Sequence, residues 1–337
     1  MNITTLWIEF AIAAALIGGA GAMVTRSADV ISVKTGLPRS WIGLILLAFV
    51  TSLPELVTSA SAVTVADAPN IAVGEIFGSC VFNLVLLSLL DFLHRRESVY
   101  RSAAQGHILS AGWGIVLIGF AGLNILLSRN GFDFALGPIG IYTPVIFILY
   151  FVAVRSVYSY ERRSLPEQTR EAEDRYKGAS LRNAIAIYTL GAAIVTGAGI
   201  WLPFIAADLS DAMGWNRTFV GTLFVAGVTS LPEAAVTVAA LRLGSVDMAI
   251  ANILGSNLFD ILILAIDDII FLKGPLFDHV SETHAVSAMS AIIMTGIVVI
   301  GILYRPNARL LKAVGWISLG LFMIYVLNTY VLYLMGE

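Results

Sequence analysis

Along the chain, apolar runs of membrane-crossing length alternate with short polar breaks. A helix crossing a hydrocarbon core of about 30 Å needs about 20 mostly apolar residues. Ten segments qualify: Leu6–Val24, Trp41–Val65, Ile71–Leu93, Gly106–Leu127, Gly137–Val157, Ala184–Ile205, Thr218–Leu241, Met248–Leu272, Ala285–Tyr304 and Leu310–Leu334. The pattern therefore predicts an all-α membrane protein with ten transmembrane helices. Most connections are short. One long polar stretch, between Arg155 and Asn183, contains YERRSLPEQTREAEDRYKG and is too short to hold a folded domain. Residues 158–183 are expected to form a solvated linker between a first half (1–157) and a second half (184–337).

Composition strengthens this picture. Of 337 residues, 58% are hydrophobic and 13% charged, with a mean hydropathy of +0.86. A soluble domain carries roughly 25% charged residues, so this chain needs the lipid bilayer as its solvent. The 20 basic and 23 acidic residues nearly cancel, which points to no nucleic-acid partner, and no feature predicts a protein partner. Cys80 is the single cysteine, so no intrachain disulfide forms. The four histidines (His94, His107, His279, His284) fall near segment ends or in loops. The opening MNITTLWIEF lacks a basic region and carries Glu9, so it reads as a first span, not a cleaved signal. With both termini outside, the inside loops and linker hold 17 of the 20 basic residues; only Arg129, Arg217 and Lys273 lie outside. The positive-inside rule thus predicts a cytoplasmic linker and outer N- and C-termini.

The chain also repeats itself. GLILLAFVTSLPE, from Gly43 to Glu55, matches GTLFVAGVTSLPE, from Gly221 to Glu233, at an offset of 178 residues. NIAVGEIFGSCVFN, from Asn70 to Asn83, matches DMAIANILGSNLFD, from Asp247 to Asp260, at an offset of 177. The repeated units cover about 40–93 and 217–272. Each half holds five spans, an odd number, so the second copy enters the membrane from the opposite side. Two inverted five-helix repeats with broken helices 2 and 7 are the plan of secondary transporters, whose sites sit near the midplane.

The repeated residues supply oxygen ligands. Pro54 and Pro232 remove one helical hydrogen bond each, freeing the carbonyls of Val50 and Val228. Freed carbonyls at membrane depth persist only beside protein, water or an ion. The hydroxyls of Thr51, Ser52, Thr229 and Ser230 lie nearby, and a carboxylate follows each proline: Glu55 and Glu233. Ser79 and Asn83 share a helix face at i, i+4, as do Ser256 and Asp260. Gly78 and Gly255 permit close backbone approach. Carbonyl, hydroxyl and carboxylate oxygens together suit hard cations such as Ca²⁺ and Na⁺. A charge at bilayer depth costs at least roughly 2.5–3.5 kcal/mol. The competing reading is of neutral carboxylic acids that join helices, and the repetition with flanking TS and P disfavours it.

These motifs resemble the cation/calcium antiporter superfamily, specifically the sodium/calcium exchanger branch and its prokaryotic members. The family's paired G-T-S-x-P-E and G-S-N-x-x-[ND] patterns appear here as VTSLPE (50–55) with GSCVFN (78–83), and VTSLPE (228–233) with GSNLFD (255–260). The ten-span layout extends the likeness over the whole chain. The resemblance implies that Glu55 and Glu233 are central ligands shared by Ca²⁺ and Na⁺, completed by Asn83 and Asp260. It implies flanking Na⁺ positions lined by backbone oxygens of Ala48, Thr51, Ala226 and Thr229 and by the hydroxyls of Thr51, Ser52, Ser79, Thr229, Ser230 and Ser256. It implies that the first and sixth spans slide across the bundle; Gly18–Ala22 and Gly191–Gly199 are rich in small residues, which also suits ordinary close packing. The expected location is the plasma (inner) membrane of a prokaryote. No cofactor is implied; the cations are substrates.

The chain departs from the family pattern at Val50 and Val228 (usually glycine), at Cys80, and at Glu75, where the second repeat has Asn252. Glu75 stands one turn before Ser79. It is either solvated near the end of its span or a modulator of ion preference. Asp91, Asp267 and Asp268 read as interfacial, and His279, Glu282 and His284 as a weak candidate for a loop metal site. The leading expectation is a Na⁺/Ca²⁺ antiporter, not an enzyme. The alternative keeps the fold but couples Ca²⁺ (or another cation) to H⁺, with Glu75 as its only support. An intramembrane metalloprotease would need ligands such as H-E-x-x-H, and no histidine is near the motifs. A passive channel would show flux that does not depend on a counter-ion.

Overall fold

A computed structural model describes residues 3–94, 97–129, 135–163, 176, 178–213, 226–306, 309–310 and 314–335. The chain is an all-helical multi-pass membrane protein. Among the described residues, eight helices are long and apolar enough to cross a membrane, and a bent pair brings the number to nine. In chain order they are α1 (Ile3–Thr35), the bent pair α2 (Arg39–Thr51) and α3 (Leu53–Thr64), α4 (Pro69–Leu93), α5 (Gly106–Arg129) and α6 (Tyr142–Arg163). Then follow α7 (Leu181–Met213), the short α8 (Ala226–Thr229), α9 (Leu231–Arg242), α10 (Val246–Ile270), α11 (His284–Tyr304) and α12 (Trp316–Met335). The start of the expected seventh span, through residue 225, lies outside the described residues. So do Arg95, Arg96, Arg217, Lys312 and most of the linker.

Several boundaries move for local reasons. α1 and α7 each run 33 residues, or about 50 Å, well beyond the hydrocarbon thickness. The fifth span begins at Tyr142, because Gly137 (φ 67°) turns a two-stranded hairpin, Ala135–Leu136 against Ile139–Gly140. A second hairpin, Arg309–Leu310 against Val314–Gly315, delays the last helix to Trp316. A π-helical turn at Gly43–Leu47 was not foreseen. Its Leu46 carbonyl accepts the Tyr188 hydroxyl of α7 at 2.7 Å.

The two breaks have the same local geometry. Ser52 (φ −91°, ψ 6°) ends α2 and Ser230 (φ −83°, ψ 7°) ends α8. In both cases the helix restarts with proline in its first turn, where the missing N–H is tolerated. The two α2–α3 segments bend by 43°. The helices that follow match as well: α3 and α9 both have 12 residues, α4 and α10 both 25.

α10 is almost wholly enclosed by the other helices. Its contact with α2 is made by glycines. A Cβ on Gly255 would stand 2.2 Å from the Leu44 carbonyl oxygen, and one on Gly43 would stand 2.5 Å from that of Met248. Gly255→Ala is therefore expected to cost about 1–3 kcal/mol by forcing the two backbones apart. It should lower the melting temperature of the purified protein in detergent. Gly112→Ala, with no atom within 4 Å of the added carbon, is the control that should not.

Asp91, Asp267 and Asp268 are buried, which corrects the interfacial reading. For Asp91 and Asp268 the physical reason is that loops fold back over the helix ends and need acceptors, whereas Asp267 is enclosed by its neighbouring helices. Asp91 accepts from Val99 N (3.0 Å), Gly315 N (3.0 Å) and Ser318 Oγ (2.9 Å). Asp268 accepts from Leu276 N (2.7 Å), Gly140 N (2.9 Å), Thr143 Oγ1 (2.5 Å) and the Tyr142 hydroxyl (2.6 Å). Asp91 and Asp268 are 177 residues apart, the offset of the second motif pair. Each binds an amide eight residues on, then a glycine N–H and a hydroxyl three residues beyond that glycine. The glycine and hydroxyl lie in the opposite half of the chain, so each aspartate ties one half to the other.

Candidate functional site

The broken helices bring their motif residues against α4 and α10. Glu55 and Glu233 follow the two prolines, in the first turns of α3 and α9, and each is 1% exposed. Thr51, Ser52, Thr229, Ser230, Ser79 and Ser256 are fully buried, with Asn83, Asp260 and Ala48 at 1%. Cross-contacts bind the set together. Ser52 Oγ donates to Glu233 Oε1 at 3.2 Å, from one repeat to the other. Thr51 Oγ1 and Ser256 Oγ are 3.4 Å apart. The charges of Glu233, Asp260 and Glu75 all act on Glu55. Of the backbone oxygens expected from the resemblance, that of Ala48 accepts from Ser52 N (2.9 Å) and Thr51 Oγ1 (3.3 Å). Ala226 begins the described part of the second break.

The site is rich in acceptors. Glu55 Oε2, Glu233 Oε2, Asp260 Oδ1, Asn83 Oδ1, Ser79 Oγ and Ser230 Oγ are buried without a hydrogen-bond partner among the described residues. Buried polar atoms are normally paired. Among the described residues no three His, Cys, Asp or Glu side chains converge tightly enough to hold a metal ion by themselves. Carboxylates here are interleaved with hydroxyl and amide oxygens, which is the mixed oxygen set that hard cations take.

Two features escaped the sequence reading, and the open alternative at Glu75 is decided. Cys80 reaches across to the second repeat. Its thiol is 3.7 Å from Asp260 Oδ2, and its carbonyl accepts from Nδ2 of Asn257, its repeat mate, at 3.1 Å. α4 and α10 thus cross at this pair, and the shared 177-residue offset was the available signal. Glu75 points inward, with both carboxylate oxygens buried, and is not a solvated end residue. Gly199 of α7 lies against both prolines: an added Cβ would stand 2.4 Å from Pro54 Cγ and 3.5 Å from Pro232 Cγ. Small residues also seat α7 on α1, where a Cβ on Gly191 would stand 2.8 Å from Val24 Cγ2. The histidine loop does not converge on a metal. His279 Nδ1 pairs with Pro275 O (3.1 Å), and His284 Nε2 pairs with Asn70 Oδ1 (3.1 Å).

Comparison with known proteins agrees with this architecture. The "Sodium/calcium exchanger protein" family matches residues 5–158 and 183–332. Inner membrane protein YrbG of Escherichia coli (strain K12) is 26% identical over 308 residues, covering 90% of each chain. Sodium/calcium exchanger MaX1 of Methanosarcina acetivorans is 27% identical, over 91% of this chain and 93% of that one. The solved structure of the sodium-calcium exchanger NCX_Mj superposes with a TM-score of 0.72 at 20% identity, covering 97% of this chain and 98% of that one, and shows the shared fold. With both halves matched, each bearing a proline-restarted helix and a buried acid, this chain belongs to the sodium/calcium exchanger family.

Proposed function

We propose that this cation antiporter exchanges Na⁺ for Ca²⁺ by alternating access at the acidic site between its two broken helices. The observation that carries the reading is the buried, acceptor-rich set formed by Glu55, Glu233, Asp260 and Asn83, with half of its ligands from each repeat. In this reading one Ca²⁺ or several Na⁺ occupy the same centre. Glu55 and Glu233 are the central carboxylates. Asn83 and Asp260 complete the plane, and the hydroxyls of Thr51, Ser52, Ser79, Thr229, Ser230 and Ser256 line the flanks, with the carbonyls of Ala48 and Ala226. An unneutralised cluster of carboxylates is costly at bilayer depth, so the protein crosses between states only when cations fill it. That competition enforces exchange.

The ten-span plan, with halves 1–157 and 184–337 inverted about a cytoplasmic linker, completes the proposal. α1 and α7 form the sliding pair. The seat of Gly199 on Pro54 and Pro232 supports a direct coupling of that motion to both breaks. The buried Glu75 carboxylate supports the second reading, exchange against H⁺. Isotopic Ca²⁺ flux in proteoliposomes, with Na⁺, K⁺ and pH gradients imposed one at a time, separates the two. Flux driven by the Na⁺ gradient at fixed pH is the expected result. Flux that follows pH alone would replace Na⁺ by H⁺, and flux with no counter-ion dependence would make the protein a channel.

A further inference from the structure

One end of the exchange site carries acids that the other end lacks. Glu75 lies two turns before Asn83 on α4, and Asp267 two turns after Asp260 on α10. Ser59 lies one turn after Glu55 on α3. The last turn of α3, the first of α4 and the last of α10 meet at one end of the bundle, where Lys273 Nζ is 2.5 Å from Asp67 Oδ2. In the proposed orientation that end faces outside.

The repeat mates show what this end could have been. Glu75 corresponds to Asn252, Ser59 to Thr237, and Asp267 to Leu90. At the opposite end Asn252 Nδ2 donates to Thr237 Oγ1 at 3.1 Å, a neutral pair. At this end both oxygens of Glu75 and both of Asp267 are buried without a hydrogen-bond partner among the described residues. Asp267 is 0% exposed, as is Ser59. The Ser59 hydroxyl lies 3.4 Å from the Leu56 carbonyl and can donate there or toward Asp267. Asp267, followed by Asp260, is the charge that acts most on Glu75, and Ser59 sits beside Asp267.

We propose that Glu75, Asp267 and Ser59 form a second site for a hard cation, next to the exchange site and separate from it. Among the described residues no basic side chain pairs with these carboxylate oxygens, and the single Ser59 hydroxyl proton can serve at most one of the two oxygens of Asp267. One proton would satisfy a single carboxylate oxygen, whereas a cation coordinates several at once. The site stands between the exchange centre and the outer end of the bundle, so its ion precedes or follows the exchanged one on that path. The location on the path rests on the orientation proposed above; the site itself does not.

The test is equilibrium binding of ⁴⁵Ca²⁺ to the purified full-length protein in Na⁺-free nanodiscs. About two Ca²⁺ per chain are expected for the wild type, and about one for the Glu75→Gln/Asp267→Asn variant. Glu233→Gln reads the exchange centre separately and should keep the ion held by Glu75 and Asp267. Glu75→Asn/Asp267→Leu, which copies the neutral end of the same protein, guards against a folding defect in the first variant. If the wild type binds one ion, Glu233→Gln abolishes it and neither double variant changes it, the proposal is overturned and the pair carries protons instead.

Discussion

Glu233→Gln is expected to abolish Ca²⁺ uptake into proteoliposomes while the protein remains folded and monodisperse. Glutamine keeps the shape of the side chain and can still accept the Ser52 hydroxyl through its amide oxygen. What it removes is one negative charge from a site with 1% exposure. Deleting one member of a buried charge set costs about 3–5 kcal/mol, which is roughly a 150- to 4,000-fold loss of cation affinity. Glu55→Gln should behave in the same way, because both carboxylates follow the break by three residues and both present an unpartnered oxygen. The measurement is initial-rate ⁴⁵Ca²⁺ flux against an outward Na⁺ gradient, with size-exclusion profiles as the folding control. Wild-type flux in both variants would remove the site from between the two breaks.

Asp268→Ala is the substitution expected to do most damage to the fold. It strips the acceptor from two backbone amides and two hydroxyls at once, on Gly140, Leu276, Tyr142 and Thr143. Each buried donor left unpaired costs about 1–3 kcal/mol, so the loss is about 3 kcal/mol or more even if some donors find new acceptors. The expected result is a steep fall in yield of monodisperse protein and in melting temperature. Asp268→Asn keeps one acceptor oxygen and should lie between the two. Asp91→Ala removes the acceptor of one nearby amide, Val99 N, and of Gly315 N and Ser318 Oγ in the opposite half, and should be milder. Equal, wild-type stability in both alanine variants would show that the two halves are joined by apolar packing alone.

Much of the architecture could be read from the chain without its fold. The apolar runs located the eight long helices and the bent pair, and VTSLPE placed breaks at Ser52 and Ser230 with matching dihedral angles. These features are local: a serine–leucine–proline sequence ends one helix and starts another wherever it stands, and lipid selects apolar runs one span at a time. The family motifs likewise pointed to Glu55, Glu233, Asn83 and Asp260, all of them buried.

Other properties existed only once helices were packed. Asp91 and Asp268 looked like span-end residues because hydropathy places a charge at the nearest water. The folded chain gave them loop amides instead. For Glu75 the sequence allowed either a solvated or an inward position, and α10 puts Asp267 beside it. Cys80 acquired its role from Asp260 on a helix 180 residues away. The hairpin that shortened the fifth span sits in apolar sequence that hydropathy cannot divide, and the one that delayed the tenth falls in a stretch with Arg309 and Lys312 among apolar residues. By itself the sequence determined that the chain lives in lipid, where its helices break and which acids the breaks carry, because backbone chemistry and solvent preference act residue by residue. Only the tertiary structure decided which acids face one another and which hold loops, because that depends on neighbours supplied by the opposite half.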